Sequence, residues 1–408
     1  MQLSELSPIE YYNYVSLQPN CSFYQTLEYA TFMKENGYSY ELIGIKDSLN
    51  NVRAAGLIVF NKIDDKNTYG YAPRGFVIDY NDKNLIRDFS EALKKYYKKR
   101  NIVFIKINPD IVISKYNNNK KEFIDNDNIE IINTFQNNNY QKLKRTKYFE
   151  SLLPSYSPII DLSKYDYNNL DKNVRNKISK CYRKGLFIEK RNIDSIKLLY
   201  PFIKNKSKKT IDYYESLLRE FSKSNSVDLF LIRVNFEEFL INSKDKYEKE
   251  LVKNNKLTKK LINHQTEKLI NRKMQSDREL LTYKNDIRIA TEGLSRNKNE
   301  IVGGAIIIKY KNKVSIYESG YNIKYKELNI NDFLYYKLIE YYKYNYNYLD
   351  LNGFSGDLSS NNPYQGLNNF KMGFNPKIYE YIGEYDIVLK KHLYKKMASN
   401  GTLSNIFK

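Results

Sequence analysis

The residue types that ordinarily carry catalysis are scarce in this chain. It holds two histidines, His264 in a highly charged helical stretch and His392 in a basic C-terminal stretch, and two cysteines, Cys21 and Cys181, far apart in sequence. That supply argues against a Ser-His-Asp triad, a Cys-His pair and a histidine-rich metal site. Neither cysteine belongs to a CxxC, so no disulfide framework or zinc site is expected, and both read as small buried hydrophobes. No GxxxxGK[ST], GxSxG or HExxH occurs, and no glycine-rich loop opens a helix after the first strand. The Arg/Gln-x-x-Gly-x-Gly/Ala loop that holds a coenzyme A pyrophosphate is missing too, which argues against coenzyme A as donor. What remains is glycine and tyrosine punctuation at strand ends: GYAPRGFVIDY (70–80), YESGYN (317–322), LNGFSGD (351–357) and GLNNFKMGFNPKIYEYIGEYD (366–386).

Charge is the second chemical cue. The 67 Lys and Arg against 47 Asp and Glu give +20, which favours a polyanion: nucleic acid, an anionic membrane face or a phosphorylated substrate. Lys, Asn, Tyr and Ile are enriched together, as an AT-rich genome imposes, so part of the excess is compositional. A local concentration lies at Asp171–Arg191 (DKNVRNKISKCYRKGLFIEKR), where Val174, Ile178 and Tyr182 share one face and Arg175, Lys177, Lys180, Arg183 and Lys184 surround them. Phosphate contacts and a solvated helix face both fit that cluster.

The elements that must position such residues read as a repeated α/β unit. At 408 residues at least two domains are expected. Residues 40–60 give a hairpin around an Asp-Ser-Leu-Asn-Asn turn, residues 81–99 an amphipathic helix, and residues 102–107 a strand ending at Asn108-Pro109-Asp110. The same order returns as a hairpin at 302–318, a helix at 331–344 and a strand at 348–351. AAGLIVF aligns with GGAIIIK, and the Gly56–Asn108 and Gly304–Asn352 separations nearly match, which predicts an internal duplication. Between the repeats, residues 202–292 contain neither Gly nor Pro. Tyr247, Leu251, Asn254, Thr258 and Leu261, then Leu280, Tyr283, Ile287, Ala290 and Leu294, alternate spacings of three and four. They predict an antiparallel helical hairpin turning near 270–275, each arm about 25 residues and roughly 40 Å long. The N-terminus has no basic segment before an apolar core, and no run of about 18 apolar residues occurs. A cytoplasmic protein that reaches a membrane only peripherally is expected.

Through YAPRGFVIDY, the tyrosine pair of DYYESLLREF, the helical insertion before the second hairpin, IYESG, and FKMGF followed by YEYIGEYD, the chain resembles the FemABX family of peptidoglycan aminoacyltransferases. The similarity runs from Ser22 to Leu389 in the family's order. It implies an α/β (α+β) fold of two tandem acetyltransferase-like (GNAT) domains, residues 1–150 and 151–395. The second is interrupted by an antiparallel coiled-coil arm at 238–298, of a type for which tRNA contact has been suggested, and a basic tail follows at 396–408. The implied reaction is attack by a free amine of a lipid-linked muropeptide, on the stem peptide or a growing bridge, upon the ester of an aminoacyl-tRNA. Glycine, alanine or serine would move, with aminoacyl-tRNA as co-substrate and no cofactor or metal. The implied partners are aminoacyl-tRNA, the lipid-linked peptidoglycan precursor, the inner membrane face by peripheral contact, and related Fem proteins.

An ester is already activated, so such a site needs alignment and oxyanion stabilisation more than a histidine. The resemblance places Lys371, with Phe370 beside it, near the reaction centre, in a stretch read as a closing turn before the last strands. It places Lys34 near substrate phosphates, Tyr317 and Tyr214 at the substrate, and Asp110 at the carboxylate closing the first domain's strand. Arg74 is a second phosphate ligand or a fold-holding ion pair. Lys208, Lys209 and Thr210 occupy the stretch where the family places an arginine. Two other readings compete: a coenzyme A-dependent N-acyltransferase of the same fold, and a non-catalytic tRNA- or membrane-binding coiled-coil protein.

Overall fold

AAGLIVF and GGAIIIK are apolar at nearly every position rather than at alternate ones, the pattern of strands covered on both faces. The computed structural model describes residues 2–19, 21–117, 120–123, 126–143, 147–149 and 151–403, and both runs lie in such strands. In chain order the first half supplies β1 (Gln2–Glu5), β2 (Ser39–Lys46), β3 (Val52–Lys62), β4 (Thr68–Ala72), β5 (Ile102–Ile107), β6 (Val112–Asn117), β7 (Lys120–Phe123) and β8 (Tyr140–Lys142). The second half supplies β9 (Tyr156–Asp161), β10 (Leu186–Arg191), β11 (Val227–Asn235), β12 (Asn299–Tyr310), β13 (Lys313–Tyr321), β14 (Tyr348–Asp350), β15 (Lys377–Tyr381) and β16 (Tyr385–Val388).

Two sheets result, ordered β1-β2-β3-β4-β5-β16-β8 and β10-β11-β12-β13-β14-β9-β15-β6-β7. The first seven positions of each correspond. One pair is parallel, β4/β5 in one sheet and β13/β14 in the other, and the pairs around it are antiparallel. A helix links each parallel pair, Lys83–Tyr97 in the first sheet and Ile330–Tyr342 in the second, as a parallel connection requires. This is the duplication expected from the sequence. The sheets do not follow the expected division at residue 150, because strands are exchanged between the halves. C-terminal β16 inserts between β5 and β8, and β6/β7 extend the second sheet.

The helices are α1 (Pro8–Leu17), α2 (Leu27–Glu35), α3 (Lys83–Tyr97), α4 (Asn126–Asn137), α5 (Lys172–Arg183) and α6 (Ile196–Ile203). They continue with α7 (Ile211–Ser222), α8 (Phe236–Asn263), α9 (Glu267–Leu294), α10 (Ile330–Tyr342), α11 (Gln365–Met372) and α12 (Lys391–Ser399). Strand alternation sends Ala55, Leu57 and Val59 of β3, and Ile306 and Ile308 of β12, into one shared core with α1, α2, α6 and α7. The intervening residues face outer layers: Ala54 and Ile58 pack with α3 and α4, Ala305 and Ile307 with α5 and α10. The central helices are therefore buried against both sheets, which ties the halves into one body.

The helices α8 and α9, 28 residues each, pair antiparallel across the link 264–266. At about 1.5 Å per residue each is about 42 Å long. The turn falls earlier than 270–275: α8 ends at Asn263, and the Thr266 hydroxyl caps α9 by accepting from the Leu269 amide. The seam buries Glu250, Asn254, Leu257, Ser276, Asp286 and Ala290, so it is largely polar. Asn254 Nδ2 donates to Ser276 Oγ at 3.0 Å, and Ser276 Oγ donates to Glu250 at 2.5 Å. Leu251 and Thr258, expected on the seam, are exposed.

Two further expectations change. The segment carrying Phe370 and Lys371 is the helix α11 rather than a turn. The start of the expected basic tail belongs to α12, whose Tyr394 and Met397 pack on Tyr69, Val103 and Phe104 of the first sheet. Residues 404–408 of that expected tail lie outside the described residues. Among the described residues no helix is long and apolar enough to cross a membrane.

Candidate active site

Parallel pairing ends at Ala72/Ile107 in one sheet and at Ser315/Asp350 in the other, after which the chains diverge. Both divergences open on one small cavity of about 40 Å³, lined among others by Phe23, Tyr24, Arg74, Asp110, Tyr317, Asp350, Asn352 and Tyr381. Where β12 pairs with β13 the register slips between Ile306 and Ile307, which leaves Tyr317 of β13 as the extra residue of a bulge. A bulge re-aims side chains, and here Tyr317 turns toward the cavity.

Arg74 and Asp110 are partners. Arg74 Nε lies 3.0 Å from Asp110 Oδ1, its Nη2 donates to Pro154 O at 2.9 Å, and its guanidinium sits 4.6 Å from the centre of the Tyr381 ring. Its backbone N–H donates to Asn108 Oδ1 at 2.9 Å. Of its two expected roles, phosphate ligand and fold-holding ion pair, this geometry is that of the ion pair: the charge is committed to closing the first sheet's divergence. The same pair also borders a wider cleft of about 520 Å³, walled by Phe76, Val77, Pro109, Ile111 and Ile131.

Beside Tyr317 lies a cluster of hydroxyls and lysines. The Tyr213 and Tyr317 hydroxyls are 2.6 Å apart, and Lys209 Nζ donates to Tyr317 Oη at 3.4 Å while lying 4.4 Å from the Tyr213 ring centre. Tyr214, expected at the substrate, is fully buried and bonds Ser207 and Glu318, at 2.8 Å and 3.3 Å. Its neighbour Tyr213 is the one that reaches Tyr317. Burial raises the Glu318 carboxyl, against the pull of Lys209 and Lys206. Lys206 donates to Ser319 O at 2.8 Å, and burial lowers its ammonium.

Lys371 closes α11, only 5% exposed, with Nζ donating to Asn352 O and, at 2.5 Å, to Gly353 O. Burial lowers its pKa to about 7; Lys206 acts in the same direction and Asp350 against it. Lys371 therefore fixes the 352–353 wall of the cavity. Phe370 packs edge-on to Tyr335 at 4.9 Å and Phe374 at 5.6 Å, as part of the core. Lys34 is exposed on the last turn of α2 and does not line the cavity. The structure thus brings Arg74, Asp110 and Tyr317 together, sets Lys371, Phe370 and Tyr214 behind the wall, and leaves Lys34 outside.

Sequence reasoning missed Tyr213, Glu318, Lys206 and Asp350, and treated Lys209 only as part of the stretch replacing an arginine. For the tyrosine pair a signal existed. Tyr214, Leu217, Leu218 and Phe221 stand at i, i+3, i+4 and i+7, which marks Tyr214 as core and leaves Tyr213 off the stripe.

Neither histidine nor cysteine lines this cavity, and among the described residues no cluster of three His, Cys, Asp or Glu side chains could hold a metal ion. Two like sheets meeting at a cavity lined by Tyr24, Tyr317 and Tyr381 define a duplicated α/β protein. The FemAB family model matches residues 6–399, and the chain belongs to that family. It is 22% identical to a lipid II:glycine glycyltransferase of Staphylococcus epidermidis, over 93% of this chain and 91% of that protein. It is 24% identical to the aminoacyltransferase FemA of the same species, over 88% and 89%, and 25% identical to its aminoacyltransferase FemB, over 94% of each. The crystal structure of FemX superposes with a TM-score of 0.72 at 18% identity, over 97% of this chain and all of that one, a likeness of fold.

Proposed function

We propose that this protein is an aminoacyltransferase that moves glycine, alanine or serine from aminoacyl-tRNA to an amine of a lipid-linked peptidoglycan precursor, building the interpeptide bridge. The observation that carries this reading is the FemAB match along nearly the whole chain, with relatives named as glycyl- and aminoacyltransferases. In this reading each half is an acetyltransferase-like unit, α8 and α9 form the coiled-coil arm, and related Fem proteins are partners.

The cavity suits the chemistry. The amine nitrogen attacks the ester carbonyl, an amide C–N bond forms, the ester C–O bond breaks, and the amine's proton ends on the departing ribose oxygen. Nothing in that sequence needs a protein nucleophile or a cofactor; it needs the reactants aligned and the oxyanion stabilised. Tyr213, Tyr317 and Lys209 supply donors at the bulge. Lys371 contributes first by holding the 352–353 wall, and a direct charge on the reacting ester requires its Nζ to leave those carbonyls. Lys34, outside the cavity, is left as a candidate contact for substrate phosphates.

The amino-acid composition of wall bridges, in cells with and without this protein, tests the reading. Loss of one amino acid from the bridge is expected; unchanged bridges would favour the non-catalytic tRNA- or membrane-binding alternative.

A further inference from the structure

The helical hairpin is not uniformly charged. Residues 255–275, at its tip, hold six basic side chains, Lys256, Lys259, Lys260, Lys268, Arg272 and Lys273, against the single acid Glu267. The proximal parts, 236–254 and 276–294, hold seven basic and nine acidic residues. Compositional drift toward lysine would enrich both regions alike. The proximal charges are largely paired, as in Lys249 with Asp245 at 2.8 Å, Arg288 with Glu292 at 2.7 Å and Lys184 with Asp286 at 2.9 Å. At the tip, among the described residues, only Lys273 forms an ion pair, 2.6 Å from Asp277.

Large apolar side chains stand out in solvent along both parts of the hairpin, Ile241, Val252 and Leu281 among the paired proximal charges and Ile262, Ile270 and Met274 among the mostly unpaired cations of the tip. Ile262 is 77% exposed, Met274 49% and Ile270 42%. Ile270 and Met274, four residues apart, share one face of α9. Leu261 and Leu269, by contrast, are half-buried and close the end of the hairpin. Cations alone would suit any polyanion. Protruding isoleucine and methionine gain nothing from a phosphodiester backbone, but they gain burial on entering the headgroup boundary of a bilayer.

We propose that the tip of the α8/α9 hairpin docks on an anionic lipid surface, its lysines facing lipid phosphates and Ile262, Ile270 and Met274 entering the interface. The arm then holds the cavity at a fixed standoff from the bilayer. The inference stands on the arm alone and requires neither donor nor acceptor, so it fails independently of the transferase reading.

The test is sedimentation of the full chain with vesicles of phosphatidylcholine, with and without phosphatidylglycerol. The wild type is expected to partition onto the anionic vesicles and to be released by salt. Lys259→Gln with Lys260→Gln lowers that partition about tenfold or more, since each lysine near such a surface contributes about fivefold. Ile262→Ser with Ile270→Ser lowers it by about tenfold as well. Lys244→Gln with Lys249→Gln, the same charge change at the base of the arm, leaves it unchanged. All these positions are exposed, and unaltered circular dichroism checks that the variants fold. Equal partition onto neutral and anionic vesicles, or tip variants that bind as the wild type does, overturns the proposal. Tip variants that lose tRNA binding yet keep vesicle binding overturn it in favour of an RNA surface.

Discussion

Replacing Lys371 by Met should change stability in a pH-dependent way whose size follows from where the amine sits. A lysine at its ordinary value of 10.5 that falls to about 7 on folding binds fewer protons in the native state than in the unfolded state between those two values. Unfolding then takes up a proton, so native stability rises with pH across that window and is penalised in full below it. With about 1.4 kcal/mol per unit, the penalty is about 4 kcal/mol at pH 7 and about 2 kcal/mol near pH 9. The neutral amine keeps two N–H donors for its two carbonyl acceptors, so its hydrogen bonds survive deprotonation. Lys371→Met removes both bonds at every pH, at about 1–3 kcal/mol for each carbonyl left unsatisfied. It removes the burial penalty only where lysine would be charged. The stability deficit of the variant should therefore shrink by about 2 kcal/mol from about pH 9 to pH 7. Urea denaturation of both proteins at the two pH values measures it, and tyrosine ionisation, common to both, cancels in the difference. An equal deficit at both pH values would refute the assignment of a buried, easily neutralised amine.

Three further outcomes follow from the fold and the cavity. Tyr213→Phe should lower transfer at least tenfold while leaving the denaturation midpoint nearly unchanged, because it removes one hydroxyl from the Tyr317 pair; Tyr214→Phe should do the reverse. Arg74→Met leaves Asp110 as an unpaired, mostly buried carboxylate and should cost about 3–5 kcal/mol of stability, read by chemical denaturation, with Asp110→Asn in the same background restoring part of it. Truncation after Glu384 removes β16 and α12, so the first sheet loses the strand between β5 and β8; limited proteolysis should then cut within residues 83–107, whereas a truncation after Ser399 should leave them protected.

Much of the scaffold was legible because it is local. GLIVF and AIII are continuous apolar runs, and the structure buries them on both faces; the helices after them carry ordinary amphipathic spacing, and Asp82 caps α3 by accepting from the Leu85 amide at 2.9 Å. The strand exchange was not legible, since β16 pairs with β5 across more of the chain than any local pattern spans. The turn of the arm was misplaced because neither Gly nor Pro marks it, and Thr266 lacks the Glu or Gln three residues on that would complete a capping box. Gly366 and Gly373 made α11 read as a turn, although both are helix-compatible at its two ends. Asp110 and Tyr317, singled out through the family resemblance, both come to line the cavity. The site was obscured at Lys209, Lys206 and Glu318, whose proximity depends on how α7 and its preceding loop pack on β13.

The most direct test of the central claim is transfer of labelled glycine, alanine or serine from charged tRNA to a purified lipid-linked muropeptide. An amide-linked product is expected with the wild type, formed much more slowly by Tyr213→Phe. Binding of charged tRNA with no label transferred from any of the three aminoacyl-tRNAs would contradict that claim.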